Sequence, residues 1–214
     1  MASFTLRLNM KHIQNLKCLA DIADIRTGFT FRGKIEEVDQ GNAFVAQIKD
    51  VRKHQDESGN DQISGDKLPQ INWEGKNSAF VGPGTILLPS RGGYFRSACV
   101  SSEIHDLPIV ASSQFILVSL TSDKVIPEFL CWSLNRPRTQ RYLEDIASQG
   151  SSIPMLSTSA AKELKLEVPS LKTQHKILHL NRLWEQEQQL TQALLKNRET
   201  MLQGMFQQLL KETK

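Results

Sequence analysis

Cysteine is scarce in this chain: three occur in 214 residues, Cys18, Cys99 and Cys131, far apart and odd in number. That argues against a disulfide framework or a zinc site and fits reduced thiols in the cytosol better. Long apolar runs are also missing. None approaches the roughly 18 residues of a membrane span, and Met1 to Lys17 alternates apolar and basic residues without a signal-peptide core. Net charge is small, +3 with a pI near 8.8. It is unevenly placed: residues 170–214 carry 7 basic and 4 acidic side chains, while residues 1–169 balance at 19 of each. Net charge therefore does not announce a nucleic-acid binder. Proline is absent after Pro169, and the only glycine there is Gly204.

Recognisable catalytic patterns are lacking as well. There is no glycine-rich dinucleotide loop and no Asn-Pro-Pro-aromatic tetrapeptide of the kind that holds a target amine for methylation. Gly28-Phe-Thr-Phe-Arg-Gly33-Lys34 matches the first positions of a phosphate-binding loop, but Ile35 stands where a hydroxyl should hold magnesium. His175 and His179 lie one helical turn apart, yet Lys176 replaces the glutamate a zinc peptidase needs, and no third ligand follows. Glu163-Leu-Lys165 with Asp145 upstream has the residue types of a metal-dependent nuclease, a pattern that an alternating surface strand explains equally well. Cys131 and His105 have no supporting signature. None of these patterns is complete enough to assign a catalytic group, a metal or a cofactor.

What is present is a long amphipathic arm behind a turn-rich body. From Leu171 to Lys214, apolar residues recur at helical spacing: Ile177, Leu180, Trp184, Leu190, Leu194, Met201, Met205 and Leu209. A helix of about 40 residues spans about 60 Å, too long to bury its stripe on so small a body, so it should pair with another helix. In the body, Leu19–Ile25 and Ala43–Lys49 read as strands, with Thr27–Lys34 an aromatic and basic loop between them. Lys53–Gly65 is polar and glycine-punctuated, an exposed loop. A turn at Gly82-Pro83-Gly84 feeds a buried strand ending at Pro89. Ser90–Tyr94 is a second turn, Ser97–Val100 a returning strand, and Ile109–Leu120 one or two core strands. Pro127 opens one helix and a second runs over about Arg138–Ala147. Gly150–Pro154 is a loop, Ser157 or Thr158 caps a helical turn, and Glu163–Val168 alternates as a strand. Short strands with late helices predict an α+β class: a domain over 1–169, then one long coiled-coil helix over 170–214.

Several of these pieces resemble one family. Leu19-Ala-Asp-Ile-Ala-Asp-Ile-Arg-Thr-Gly-Phe-Thr-Phe-Arg32 is similar to the opening of a target-recognition domain in a type I restriction–modification specificity subunit. Ile86-Leu-Leu-Pro-Ser-Arg-Gly-Gly93 resembles the strand and turn in the middle of such domains, and Phe129-Leu-Cys-Trp-Ser-Leu-Asn135 their late helix. Gly150-Ser-Ser-Ile-Pro-Met-Leu-Ser157, Leu164-Lys-Leu-Glu-Val-Pro-Ser-Leu171 and Gln174-His-Lys-Ile177 resemble the loop, last strand, proline break and helix start that lead into the spacer helix. Subunits of this family usually carry two recognition domains and two spacer helices. This sequence, with one of each, resembles a half-length form.

The resemblance implies a sequence-specific DNA-recognition subunit without catalytic residues. Its partners would be double-stranded DNA, methyltransferase subunits that bring S-adenosylmethionine, in some systems a motor-nuclease subunit with ATP, and a second copy of itself. Base readout needs arginines and amides on loops, with other cations on phosphates. The candidate DNA-binding residues are Arg32, Lys34, Arg52, Lys53, Arg91, Tyr94, Arg96, Gln149, Ser151 and Ser152; a further basic group is Arg136, Arg138 and Arg141. The pairing stripe comprises Ile177, Leu180, Trp184, Leu190, Leu194, Met201 and Met205. Two other readings stay open on the residues alone: a small magnesium-dependent nuclease using Glu163, Lys165 and Asp145, and a coiled-coil adaptor that binds only protein.

Overall fold

The structure, a computed structural model, describes residues 16–102, 106–148 and 153–212. The chain divides into two compact units, Met1–His175 and Lys176–Lys214. Short runs of branched and aromatic residues build the first as strands. These are β1 (Leu16–Cys18), β2 (Ala23–Thr27), β3 (Ala43–Ala46), β4 (Gln62–Ile63), β5 (Gln70–Ile71), β6 (Phe80–Val81), β7 (Ile86–Pro89), β8 (Ala98–Val100), β9 (Ile109–Ala111), β10 (Phe115–Leu120) and β11 (Lys165–Glu167). The α-helices are α1 (Ile48–Ser58), α2 (Pro127–Leu134), α3 (Pro137–Ala147), α4 (Thr158–Lys162) and α5 (Leu171–Glu212). This is the expected α+β class.

One sheet runs β2-β10-β7-β8-β4 and another β5-β3-β9-β6; β1 and β11 pair by themselves. Only β4–β8 and β3–β9 run parallel among the described pairs. The two larger sheets share a core. Phe44 and Ala46 of β3, Ile109 and Ala111 of β9, and Val81 meet Leu87, Ala98, Val100, Phe115 and Leu117 from the other sheet. The alternate residues Ala43, Val45 and Val110 point the opposite way, as a period of two requires. There Phe31, Ile35, Trp73 and Phe80 cover them. Strands β3 and β9 are thus buried on both faces, which explains why their sequences are continuously apolar. Helix α2 packs on β7 and β8, and α4 on β2.

Local chemistry sets the helix ends. Pro127 and Pro137 stand in the first turns of α2 and α3, where a missing N–H costs no hydrogen bond. The Ser157 hydroxyl accepts from the Ala160 N–H at 3.1 Å and caps α4. At the start of α5, the fully buried Gln174 accepts from the Ile126 N–H at 2.9 Å and donates to the Lys124 and Pro169 carbonyls, each at 2.8 Å. In the second unit, Leu180, Leu183, Trp184, Leu190, Leu194 and Leu195 of α5 are all about half exposed or more.

Three sequence expectations need correction. Leu19–Ile25 is not one strand: a 3-10 turn over Leu19–Asp21 precedes β2. The strand from Ala43 ends at Ala46 rather than Lys49. Lys53–Gly65 is not a loop, because α1 continues to Ser58, stops at Gly59 and is followed by β4. Helix α1 buries only Val51 and Gln55 fully, with Ile48 packed partly, so its apolar stripe is too thin to show as a period.

Candidate nucleic-acid interface

Strand register gathers the loops. In the five-stranded sheet Thr27 lies opposite Ile116 and Phe115 opposite Pro89. The end of β2, the start of β10 and the end of β7 therefore share one edge. That edge carries the Gly28–Lys34 loop, the Ser112–Gln114 turn and the Ser90–Tyr94 turn. Backbone bonds tie them: Gly28 N–H to the Phe115 carbonyl at 3.0 Å, Ser113 N–H to the Phe29 carbonyl at 2.7 Å, and Ser90 N–H to the Gln114 carbonyl at 2.8 Å. The Gln114 side chain also accepts from the Ile48 N–H at 3.1 Å and so brings in the start of α1. Gly28 is required for packing, since a Cβ there would sit 2.2 Å from the Ser112 carbonyl oxygen. The next element after Lys34 is the strand β3 rather than a helix, unlike in a phosphate-binding loop.

The Ser90–Tyr94 turn rests on a ledge. Gly92 N–H donates to the Pro154 carbonyl at 3.0 Å, Leu156 N–H donates to the Ser90 carbonyl at 2.8 Å, and Arg91 bridges Met155. Arg91, Tyr94, Ile153 and Met155 are all exposed. A guanidinium and a phenol thus stand beside two apolar side chains on backbone held from two sides. Ile153 and Met155 were not among the residues expected at the site. Their signal is the Gly150–Ser157 motif, whose polar Ser151 and Ser152 stand out in the sequence and whose apolar residues do not.

The segment behind the turn is clamped by amides. Gln55 and Asn135 donate to the Ser97 carbonyl at 3.0 and 2.9 Å, and Ser97 N–H donates to the Asn135 side-chain Oδ1 at 2.7 Å. Gln140 donates to the Phe95 carbonyl at 3.0 Å and accepts from the Phe95 N–H at 3.2 Å. Asp61 joins the web, accepting from Gln55 at 3.1 Å, from Asn135 at 2.7 Å and from Arg96 Nε at 2.6 Å. Several hydrogen bonds converging on one short segment hold its backbone in one geometry.

The expected site residues fall into distinct groups. Arg91, Tyr94 and Arg52 come together, with Arg52 donating to the Tyr94 carbonyl at 2.9 Å. Arg52 and Lys53 sit on α1, not on a loop. Arg96 is held by Asp61 and is only partly exposed, so it is not a free loop cation. Arg32 and Lys34 are exposed on the Gly28–Lys34 loop. Lys49 of α1 pairs with Glu37 just beyond that loop, and the Lys49 hydrogen bond holds the Glu37 carboxyl below its usual range. Gln149, Ser151, Ser152 and His105 lie outside the described residues. The third basic group is elsewhere: Arg136 stacks on Trp132 at 5.3 Å, and with Arg138 and Tyr142 it lines a groove of about 670 Å³. Glu163 and Lys165 line the same groove; Asp145 does not. Among the described residues no three His, Cys, Asp or Glu side chains converge as metal ligands, and no helix is long and apolar enough to cross a membrane.

The model of the type I restriction modification DNA specificity domain matches residues 14–196. The chain belongs to that family. The specificity domain is similar in fold to a chain solved in work on complex assembly and conformational transition of the type I R-M system, with TM-score 0.58 and 16% identity over 83% of this chain and 40% of that one. It is also similar to the HsdS subunit from Thermoanaerobacter tengcongensis, with TM-score 0.55 and 15% identity over 83% of this chain and 39% of that one. The specificity domain described here thus spans about two-fifths of the solved chains it matches. No curated protein sequence matches it.

Proposed function

We propose that this chain is the DNA-reading subunit of a type I restriction–modification assembly, with the Ser90–Tyr94 turn as its base-reading element. The observation that carries this reading is Arg91, exposed on a turn whose backbone is bonded on both sides. A guanidinium so presented can donate twice to O6 and N7 of a guanine in the major groove. Tyr94, Gln149, Ser151 and Ser152 are assigned in this reading to base edges or phosphates, and Arg32, Lys34 and Lys53 to phosphates. Ile153 and Met155 suit a thymine methyl. The chain itself supplies no catalytic group. Methyltransferase subunits bring S-adenosylmethionine and the base-flipping site, and a motor-nuclease subunit joins where the system has one.

The arm serves assembly. Its exposed leucines, methionines and aromatics support pairing with the helix of a second copy, antiparallel so that the two readers sit at opposite ends. Two identical readers on a two-fold axis read inverted half-sites separated by unread base pairs.

Selection by the purified full-length chain from randomised duplex tests this directly. The expected result is one preferred half-site, repeated in inverted orientation at a fixed separation, with affinity falling as salt rises. Equal affinity for all duplexes, or none for any, would leave the protein-only adaptor. Magnesium-dependent cleavage by the isolated chain would favour the nuclease reading.

A further inference from the structure

Arg52 is a cation beside the reading turn, but its side chain is spent on the protein. It reaches from α1 across to the turn, donates from Nη2 to the Tyr94 carbonyl at 2.9 Å, and lies against Gly92. Gly92 has φ of +108°, and a Cβ there would come within 3.1 Å of Arg52 Nη2. The glycine therefore does two things. It takes a backbone angle that side-chain-bearing residues avoid, and it leaves the space the guanidinium occupies. Arg91 is the residue just before it.

We propose that Arg52 is a positioning residue for base readout: it sets the aim of Arg91 by locking the Gly92–Tyr94 backbone, and does not itself contact DNA. The inference rests on the proposed DNA-reading function and assigns a role within it. Three anchors hold the turn. The ledge holds Ser90 and Gly92, the amide web holds Phe95 to Ser97, and Arg52 holds Tyr94 between them. The first two use backbone or buried amides. The third comes from a partly exposed side chain on a different element, so it can be removed while the other two remain. A planar guanidinium suits the place because it can lie on a glycine while one N–H points to a carbonyl. A lysine ammonium cannot present both.

Selection on randomised duplex and salt titration are run with the full-length chain and with Arg91→Ala, Arg52→Lys, Arg52→Gln and the Arg91→Ala/Arg52→Gln double variant. Thermal melting of each is recorded alongside. In the wild-type chain the position read by Arg91 should show a preference of roughly tenfold to a hundredfold. Both Arg52→Lys and Arg52→Gln are expected to reduce it to within about threefold, with the salt slope unchanged. In the double variant the loss at that position should equal that of Arg91→Ala alone, because Arg52 acts through Arg91. A salt slope that shrinks in Arg52→Gln but not in Arg52→Lys, with preference intact, would make Arg52 a phosphate contact and overturn the proposal. So would full preference in both Arg52 variants, or no effect of Arg91→Ala. If Arg52→Gln melts early, Arg52→Lys decides. A wild-type chain that selects no sequence overturns the DNA-reading function itself, a result separate from all of these.

Discussion

A cysteine or an aspartate in this chain has the chemistry its surroundings allow. Burial pushes the Cys99 thiol up to about 12, and burial also pushes Cys131 well above the ordinary thiol range. Cys18, at the end of β1, is only half buried. A maleimide at pH 8 should therefore label the native protein once, at Cys18, and label all three thiols in denaturant. Mass spectrometry counts the adducts, and rapid native labelling at Cys99 would contradict the burial. Asp50 in the first turn of α1 shows the opposite sign from Glu37 and Asp66, whose carboxyls are lowered by their lysine partners. Burial, the largest influence, raises its carboxyl, and one of its oxygens has no hydrogen-bond partner among the described residues. A raised folded-state value means the contribution to stability is present below the unfolded value and is lost as pH rises through the folded one. At neutral pH the ionised group therefore costs stability. Asp50→Asn should raise the melting temperature at pH 7, and the gain should vanish as the pH falls below the ordinary aspartate range. A gain that persists at low pH would point to a cause other than charge. The exposed turn position of Arg91 was legible because a glycine-rich turn announces itself. The contact of Arg52 with the turn was not, because its partners, Gly92 and Tyr94, lie some 40 positions away.

Elements are where sequence patterns succeed or fail. The helix α2 opened by Pro127, the helix α3 after Pro137, the Ser157 cap and the strands β9 and β10, which lie in different sheets, all follow from local signals. Helix α1 does not, since a helix laid over an already apolar core needs few apolar residues of its own. Gln174 marks another tertiary decision. As one amide in a polar helix it looks ordinary, yet it satisfies three backbone groups around the Pro169 break. Gln174→Leu leaves those groups unpaired in the body. Each orphaned buried group costs about 1–3 kcal/mol, so the variant should lose at least about 1 kcal/mol. The urea midpoint for the body's unfolding, at unchanged slope, reads this. No shift would mean that water replaces the amide.

For the whole molecule, the proposed pairing of two arms has direct consequences. Glu187, Gln188, Thr191 and Arg198 interrupt the apolar stripe and can set register. Leu194→Asp, near the middle, would bury an unpaired charge in the seam. Light scattering should then give the monomer mass, and an unchanged dimer would remove Leu194 from the interface. Deleting two heptads from the arm shortens it by about 21 Å. That corresponds to about six base pairs at 3.4 Å each. Selected sites should keep their half-sites and lose about that much separation. An unaltered separation would mean that something other than the arm sets it.

Periodicity and punctuation in the sequence were enough to specify the α+β class, the proline-bounded helices, the long arm and the Ser90–Tyr94 turn. These depend on neighbours within a few residues, where backbone sterics and helical or strand periods act. Only the tertiary structure decided which cations are exposed and which are occupied. Arg91, Arg52 and Arg96 are equal as letters. The fold exposes Arg91, fastens Arg52 to the Tyr94 carbonyl and pairs Arg96 with Asp61. A guanidinium's role is set by the acceptors within about 3 Å of it, and chain folding brings those acceptors from distant positions.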